Sequence, residues 1–128
     1  MVDASVAVAA SYRAGGFDQL GGERLVAPSL LWSEARSALH ELRWRGEITA
    51  DDAERARRRV EDSPVERVDD RRLGDEAWRL ADELGWAKTY DAEYVGLARL
   101  LGCRLVTLDA RLRRATDRLG FVVGPGEF

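Results

Sequence analysis

Short apolar runs alternate with amphipathic segments along the whole chain, and this alternation restricts it to folds in which helices cover a parallel sheet. Arg104 to Leu108 reads as a buried strand, and Met1-Val2, Arg24 to Ala27 and Phe121 to Val123 read as further ones. Val65 to Asp69, beside Pro64, suits an edge strand. Helices are expected between them. Ala4 to Ala14 ends at Gly15-Gly16, and Pro28 opens a helix with the stripe Leu31, Ala35, Ala38 and Leu42, closed by Gly46. Thr49 caps a charged helix to about Asp62, with Asp52 as its early acid. Leu73, Ala77, Leu80 and Leu84 mark the next, stopped by Gly85, and Tyr90, Tyr94, Leu97 and Leu101 mark one that runs to Gly102. A short helix follows Asp109, and Gly124-Pro125-Gly126 starts a tail. Helices long enough to cross over join parallel strands. The expected architecture is α/β, a three-layer α/β/α sandwich around a central parallel sheet of about four to five strands.

A chain of 128 residues is one domain by its length, here residues 1–128. It can bury about two-thirds of its unfolded surface. Hydrophobic residues make up 45% and charged residues 34%, a balance that suits a globular core and excludes a disordered or membrane-embedded chain. Asp3 follows the start too closely for a secretory leader. The one cysteine, Cys103 between Gly102 and Arg104, has no partner for an internal disulfide, which suits a reducing cytoplasm, and a small residue entering a strand is its simplest role.

The acids carry the chemistry. Asp3, Asp91 and Asp109 each stand where a helix is expected to begin, and singly each is explained as an N-cap that accepts orphan backbone N–H groups. In a parallel sheet, however, such helix starts lie along one edge and point into the crevice beyond the strands' carboxyl ends. Glu34 borders the apolar stripe of its helix, where an uncompensated carboxylate is costly. Carboxylates brought together raise one another's pKa values, and shared protons or a bound cation relieve them. The only lysine, Lys88, is not placed to do so. All-oxygen donors favour Mg²⁺ or Mn²⁺, ions that bridge to phosphate oxygens and assist phosphodiester hydrolysis. Ser5 and Thr107, each two residues from an acid, suit orienting a ligand carboxylate or a water better than nucleophilic attack.

Other chemistries are poorly supplied. The only histidine, His40, falls opposite the Leu31 stripe, no His/Cys cluster suits zinc, and no Walker-type glycine loop is present. Trp32, Trp44, Trp78 and Trp86 are expected in the core or at an interface, with base stacking by Trp44 a weaker alternative. The net charge of −3 does not mark a nucleic-acid binder, so the placement of the arginines matters more than the sum. Arg111, Arg113, Arg114 and Arg118 follow Asp109, and Arg43 and Arg45 end the helix of Glu34, where guanidinium groups could hold an anionic polymer across the acids. Arg55, Arg57, Arg58 and Arg59 point around their whole helix and read as a solvated face.

Four segments in register resemble the PIN-domain nucleases, and within them the VapC-type toxins of toxin–antitoxin pairs. They are Val2-Asp3-Ala4-Ser5-Val6, Pro28-Ser29-Leu30 through Glu34 to Leu39, Tyr90-Asp91-Ala92-Glu93-Tyr94 with Leu97-Ala98, and Leu105-Val106-Thr107-Leu108-Asp109. The resemblance covers nearly the whole chain. It implies a Mg²⁺- or Mn²⁺-dependent endoribonuclease with Asp3, Glu34, Asp91 and Asp109 as its acidic quartet. Asp3 and Asp91 would be the firmest ligands, Asp109 a ligand directly or through water, and Glu34 a supporting or second-metal residue. It further implies a VapB-type antitoxin whose C-terminal segment blocks the site, and a homodimer. The family's first strand normally has several apolar residues before its acid, and only Met1 and Val2 stand here.

Two rivals share the size and alternation. A receiver-like signalling domain wants a lysine at a late strand end, whereas Lys88 precedes a helix. A haloacid-dehalogenase-like phosphatase wants a second aspartate where Ser5 stands. Within the resemblance, an RNA maturation or decay nuclease without an antitoxin and a silent PIN-like binding module are the alternatives, and the presence of all four acids speaks against the silent one.

Overall fold

A computed structural model of the chain describes residues 1–127. Its sheet is short-stranded and built around the N-terminus. β1 (Val26–Ala27) pairs in parallel with β2 (Glu66–Arg67), and β3 (Leu105–Val106) pairs in parallel with β4 (Val122–Val123). The extended residues Met1 to Asp3 join the two pairs. Val2 donates its N–H to the Val26 carbonyl at 3.2 Å, Asp3 donates to Val106 at 3.3 Å, and Val106 donates back to Met1 at 2.9 Å. Met1 and Val2 are buried, so this two-residue apolar remnant sits at the centre of the sheet, hydrogen-bonded on both sides.

Among the described residues, six α-helices connect these strands. From the central segment the chain passes through α1 (Ala4–Tyr12) to β1, then through α2 (Leu30–Trp44) and α3 (Ala50–Glu61) to β2 at one edge. It returns through α4 (Leu73–Leu84) and α5 (Tyr90–Leu101) to β3 on the other side of the central segment, and through α6 (Ala110–Ala115) to β4. The direction of winding therefore reverses between the N-terminal segment and β3. Because crossovers are right-handed, the reversal sends α1 to α3 to one face and α4 and α5 to the other, the expected sandwich. Helices α1, α2 and α3 pack on one another, and α4 packs on α5. The reversal also parts the connections leaving the two central strands, and the gap opens at their carboxyl ends.

Local chemistry explains the helix boundaries. The Thr49 hydroxyl accepts the Asp52 N–H at 3.0 Å to start α3. Gly85 and Gly102 end α4 and α5 in the left-handed conformation at φ 71° and 65°, where a side chain would be strained. Helix α2 begins at Leu30, with Pro28 before it and accepting the Leu31 N–H at 3.1 Å. Residues Gly16–Leu20 form an unforeseen 3₁₀ turn, and Pro125–Glu127 form another where the sequence reads as a tail.

Packing shifts two of the expected stripes. In α2 the buried residues are Leu31, Ala35 and Leu39, while Ala38 and Leu42 are only half-buried. In α5 the buried stretch is Ala92 to Ala98 apart from half-buried Glu93, while Tyr90 and Leu101 at its ends are exposed. Small residues allow this: a Cβ on Gly96 would lie 3.3 Å from Glu76 Cγ and 3.6 Å from the Ala77 nitrogen. Glu76 is buried there, bonded by Arg99 Nε at 2.7 Å and Arg79 at 3.1 Å, an ion pair that the amphipathic pattern alone does not reveal. Trp32 and Trp86 pack against the core, with Arg67 4.5 Å from the centre of the Trp32 ring, whereas Trp44 and Trp78 are exposed. Among the described residues no helix is long and apolar enough to cross a membrane.

Candidate active site

Asp3 stands at the floor of the gap, at the point where the central segment becomes α1. It is buried, and its Oδ1 caps the helix by accepting the Val6 N–H at 3.2 Å. Two hydroxyls hold its carboxylate. Ser5 Oγ donates to Oδ1 at 2.5 Å, and the buried Thr107 hydroxyl donates to Oδ2. Both hydroxyls also accept from the β3 exit: the Leu108 N–H reaches Ser5 Oγ and the Asp109 N–H reaches Thr107 Oγ1, each at 3.0 Å. The carboxylate that ends one strand is thereby tied to the loop that ends its neighbour.

Asp109 caps α6 through Oδ1, which accepts from Arg111 at 2.9 Å and Leu112 at 3.2 Å. Asp91 corrects the sequence expectation that it caps its helix. Thr89 occupies the cap position and Asp91 lies inside the first turn, where its carboxylate accepts no hydrogen bond among the described residues. It meets the positive end of the helix dipole but is left unsatisfied by side chains. Glu34, from the first half of α2, accepts the Tyr94 hydroxyl at 2.6 Å.

The four carboxylates share one field. Burial, opposed by the Ser5, Thr107 and Val6 bonds, raises the Asp3 pKa above the usual aspartate range, and the Asp109 charge adds to it. Glu34 is raised first by burial, against the Tyr94 bond, and then by Asp91, Asp3 and Glu93. Asp91 is raised by partial desolvation and by Asp109 and Asp3, with Arg111 opposing. Its outer side is open to solvent. Glu93, itself raised by burial, and Tyr94, raised well above a free phenol by burial and by Glu34, are site residues that the sequence does not single out. Their one signal is a place within the first turn or so after Asp91.

Among the described residues no three acidic, histidine or cysteine side chains are drawn together tightly enough to form a ready-made metal cage. The donor set nevertheless fits a hard divalent cation. It is all oxygen, the carboxylates repel one another, and no lysine neutralises them. A shallow surface concavity lies elsewhere, along α2 between Ser33 and Trp44, and includes none of the acids. Phosphodiester chemistry needs charge and positioning more than enclosure, so the open crevice is the better candidate.

The arginines divide. Arg111 is close enough to act on Asp91, and Arg114 lies exposed beside it on α6. Arg113 instead bonds Glu127 at 2.6 Å and packs under Gly124, Arg45 pairs with Glu41 at 2.6 Å, and Arg43 lies 2.9 Å from His40 Nε2. On α3, Arg55, Arg57 and Arg58 pair with exposed acids of their own helix, pairs of little energetic weight. Arg59 differs from the expected solvated face by reaching across to the Ser11 carbonyl at 2.9 Å.

Known proteins resemble this chain in sequence and in fold. The family described as PIN domain matches residues 1–118. The chain is 40% identical over 113 residues to the VapC ribonuclease Mb0985 of Mycobacterium bovis and, to the same extent, to ribonuclease VapC9 of Mycobacterium tuberculosis, covering 88% of this chain and 87% of each relative. Its fold is similar to the crystal structure of PAE2754 from Pyrobaculum aerophilum, with a TM-score of 0.78 and 30% identity over 98% of this chain and 88% of that one.

Proposed function

Because the chain belongs to the PIN-domain family, we propose that it is a VapC-type toxin, an endoribonuclease that cleaves RNA phosphodiesters with Mg²⁺ or Mn²⁺ and is restrained by a VapB-type antitoxin. The observation that carries the reading is the meeting of Asp3, Glu34, Asp91 and Asp109 in one electrostatic field at the sheet's reversal point.

Asp3 and Asp91 would hold the ion, with Asp109 beside them and Glu34 in support. Such an ion supplies Lewis-acid polarisation of the scissile phosphate and charge compensation for the leaving oxygen. The chain does the rest. Ser5 and Thr107 keep both Asp3 oxygens from rotating, and the same hydroxyls fix the Asp109 loop against them. Asp91, without competing hydrogen bonds, keeps its carboxylate available. Arg111 and Arg114 on α6 are exposed and would meet RNA phosphates, while Arg43, Arg45 and Arg113 are engaged by local partners.

The purified protein should cut a pool of structured cellular RNAs into discrete products in Mn²⁺ or Mg²⁺ and leave it intact in chelator. Intact RNA in both conditions would overturn the nuclease reading. Arg114→Ala should weaken RNA binding with a salt slope lower by about one. An unchanged slope in a filter-binding titration returns that residue to the solvated face. We further propose that the protein self-associates, as its resemblance to the VapC-type toxins implies, which light scattering measures directly.

A further inference from the structure

Tyr94 is the largest side chain in the fully buried core, yet it carries a polar tip into the site. It leaves α5 one turn after Asp91 and crosses beneath the crevice. There its hydroxyl donates to Glu34 Oε1 at 2.6 Å, linking two helices that lie sixty residues apart in sequence. One hydroxyl thus joins the helix that bears Glu34 to the helix that bears Asp91.

The bond does more than satisfy a buried phenol. Glu34 extends from α2 on a flexible side chain, repelled by Asp91, Asp3 and Glu93. Left alone, it would swing toward solvent, because α2 is open on that side, where Ser33 and Ser37 are exposed. A hydroxyl on Oε1 holds the carboxylate in place and leaves Oε2 without a hydrogen bond among the described residues. Holding it there costs repulsion in the metal-free chain and is useful only if charge arrives to compensate it.

We propose that Tyr94 is a positioning residue, whose hydroxyl holds the Glu34 carboxylate in the crevice for the divalent cation that the active-site acids bind. This inference rests on the nuclease reading. Tyr94→Phe keeps the ring and its packing and removes only the hydrogen bond, so the far-ultraviolet circular dichroism of the folded protein should be unchanged.

The test is calorimetric Mn²⁺ binding together with RNA cleavage, in the wild-type protein, Tyr94→Phe, Glu34→Gln and the double variant. Tyr94→Phe should weaken Mn²⁺ binding by about tenfold, the lower end of the usual loss when a residue that orients a ligand is removed. It should add nothing in the Glu34→Gln background, because the hydroxyl then has no charged group to hold. A purely structural tyrosine would lower stability in both backgrounds and leave Mn²⁺ affinity alone. Wild-type binding and cleavage in Tyr94→Phe, or losses that add in the double variant, would overturn the positioning role while the nuclease stands. A wild-type protein that neither binds Mn²⁺ nor cuts RNA overturns both.

Discussion

Asp91→Asn should lower RNA cleavage at least about a hundredfold, the scale on which removing one preorganised electrostatic group acts. The substitution keeps the size and shape of the side chain and removes its charge. Because Asp91 accepts no hydrogen bond among the described residues, removing its charge breaks no bond of the fold and gives up only the weaker attraction of the α5 dipole and Arg111. The metal-free protein should in fact be more stable with asparagine. The folded-state pKa of Asp91 is raised, so its contribution to stability is fully present below the ordinary aspartate value and is lost as pH rises through the raised one. At about pH 7 the ionised group therefore costs stability, and an uncharged amide does not. Thermal melts in chelator should show the variant melting above wild type near neutrality, with the gap closing toward acidic pH. Added Mn²⁺ should stabilise the wild type and the variant much less, since an ion that binds only the folded state raises its stability by mass action. Wild-type cleavage by Asp91→Asn would remove it from the site, and a variant less stable than wild type in chelator would contradict the repulsion argument.

Leu97→Ala should lower stability by about 2–5 kcal/mol, the range for deleting a fully buried leucine. Leu97 has no exposed surface and lies in the middle of α5 with Val95 and Ala98, where α4 packs close over Gly96. Close packing leaves the neighbours little freedom to collapse into the vacated volume, which favours the upper half of the range. Domains of this kind hold only about 5–15 kcal/mol in total, so the loss amounts to a drop of about 10–15 °C in melting temperature. The effect also reaches the site, because Asp91 and Tyr94 depend on α5 for their placement. Calorimetric unfolding measures it. A melting temperature within a few degrees of wild type would mean that α5 packs far less tightly than Gly96 and its neighbours indicate.

The alternation of short apolar runs with helical segments was enough to identify a parallel α/β sandwich, and the placement of acids at strand ends was enough to pick out Asp3 and Asp109. Both are local properties: periodicity records which face is buried, and a residue that ends a strand and opens a helix has its address written beside it. Asp91 was legible as an acid near a helix start but not as a free one. The difference is two residues of register, decided by which N–H groups the chain leaves unpaired. The shifted stripes in α2 and α5 have a similar cause, since a helix buries whatever its neighbours cover, and small residues such as Ala92 and Gly96 admit neighbours that periodicity alone does not anticipate.

By itself, then, the sequence determined the fold class, the order of the main elements and which acids stand near strand ends and helix starts, because each depends on residues close together in the chain. Only the tertiary structure decided which side chains those acids meet. The Thr107 bond to Asp3 and the Tyr94 bond to Glu34 span a large part of the chain, and the Glu76 pair with Arg99 ties α4 to α5 across their interface. Such contacts exist only after the crossovers have closed. They are set by where the winding reverses, which brings the carboxyl ends of distant strands together at one crevice.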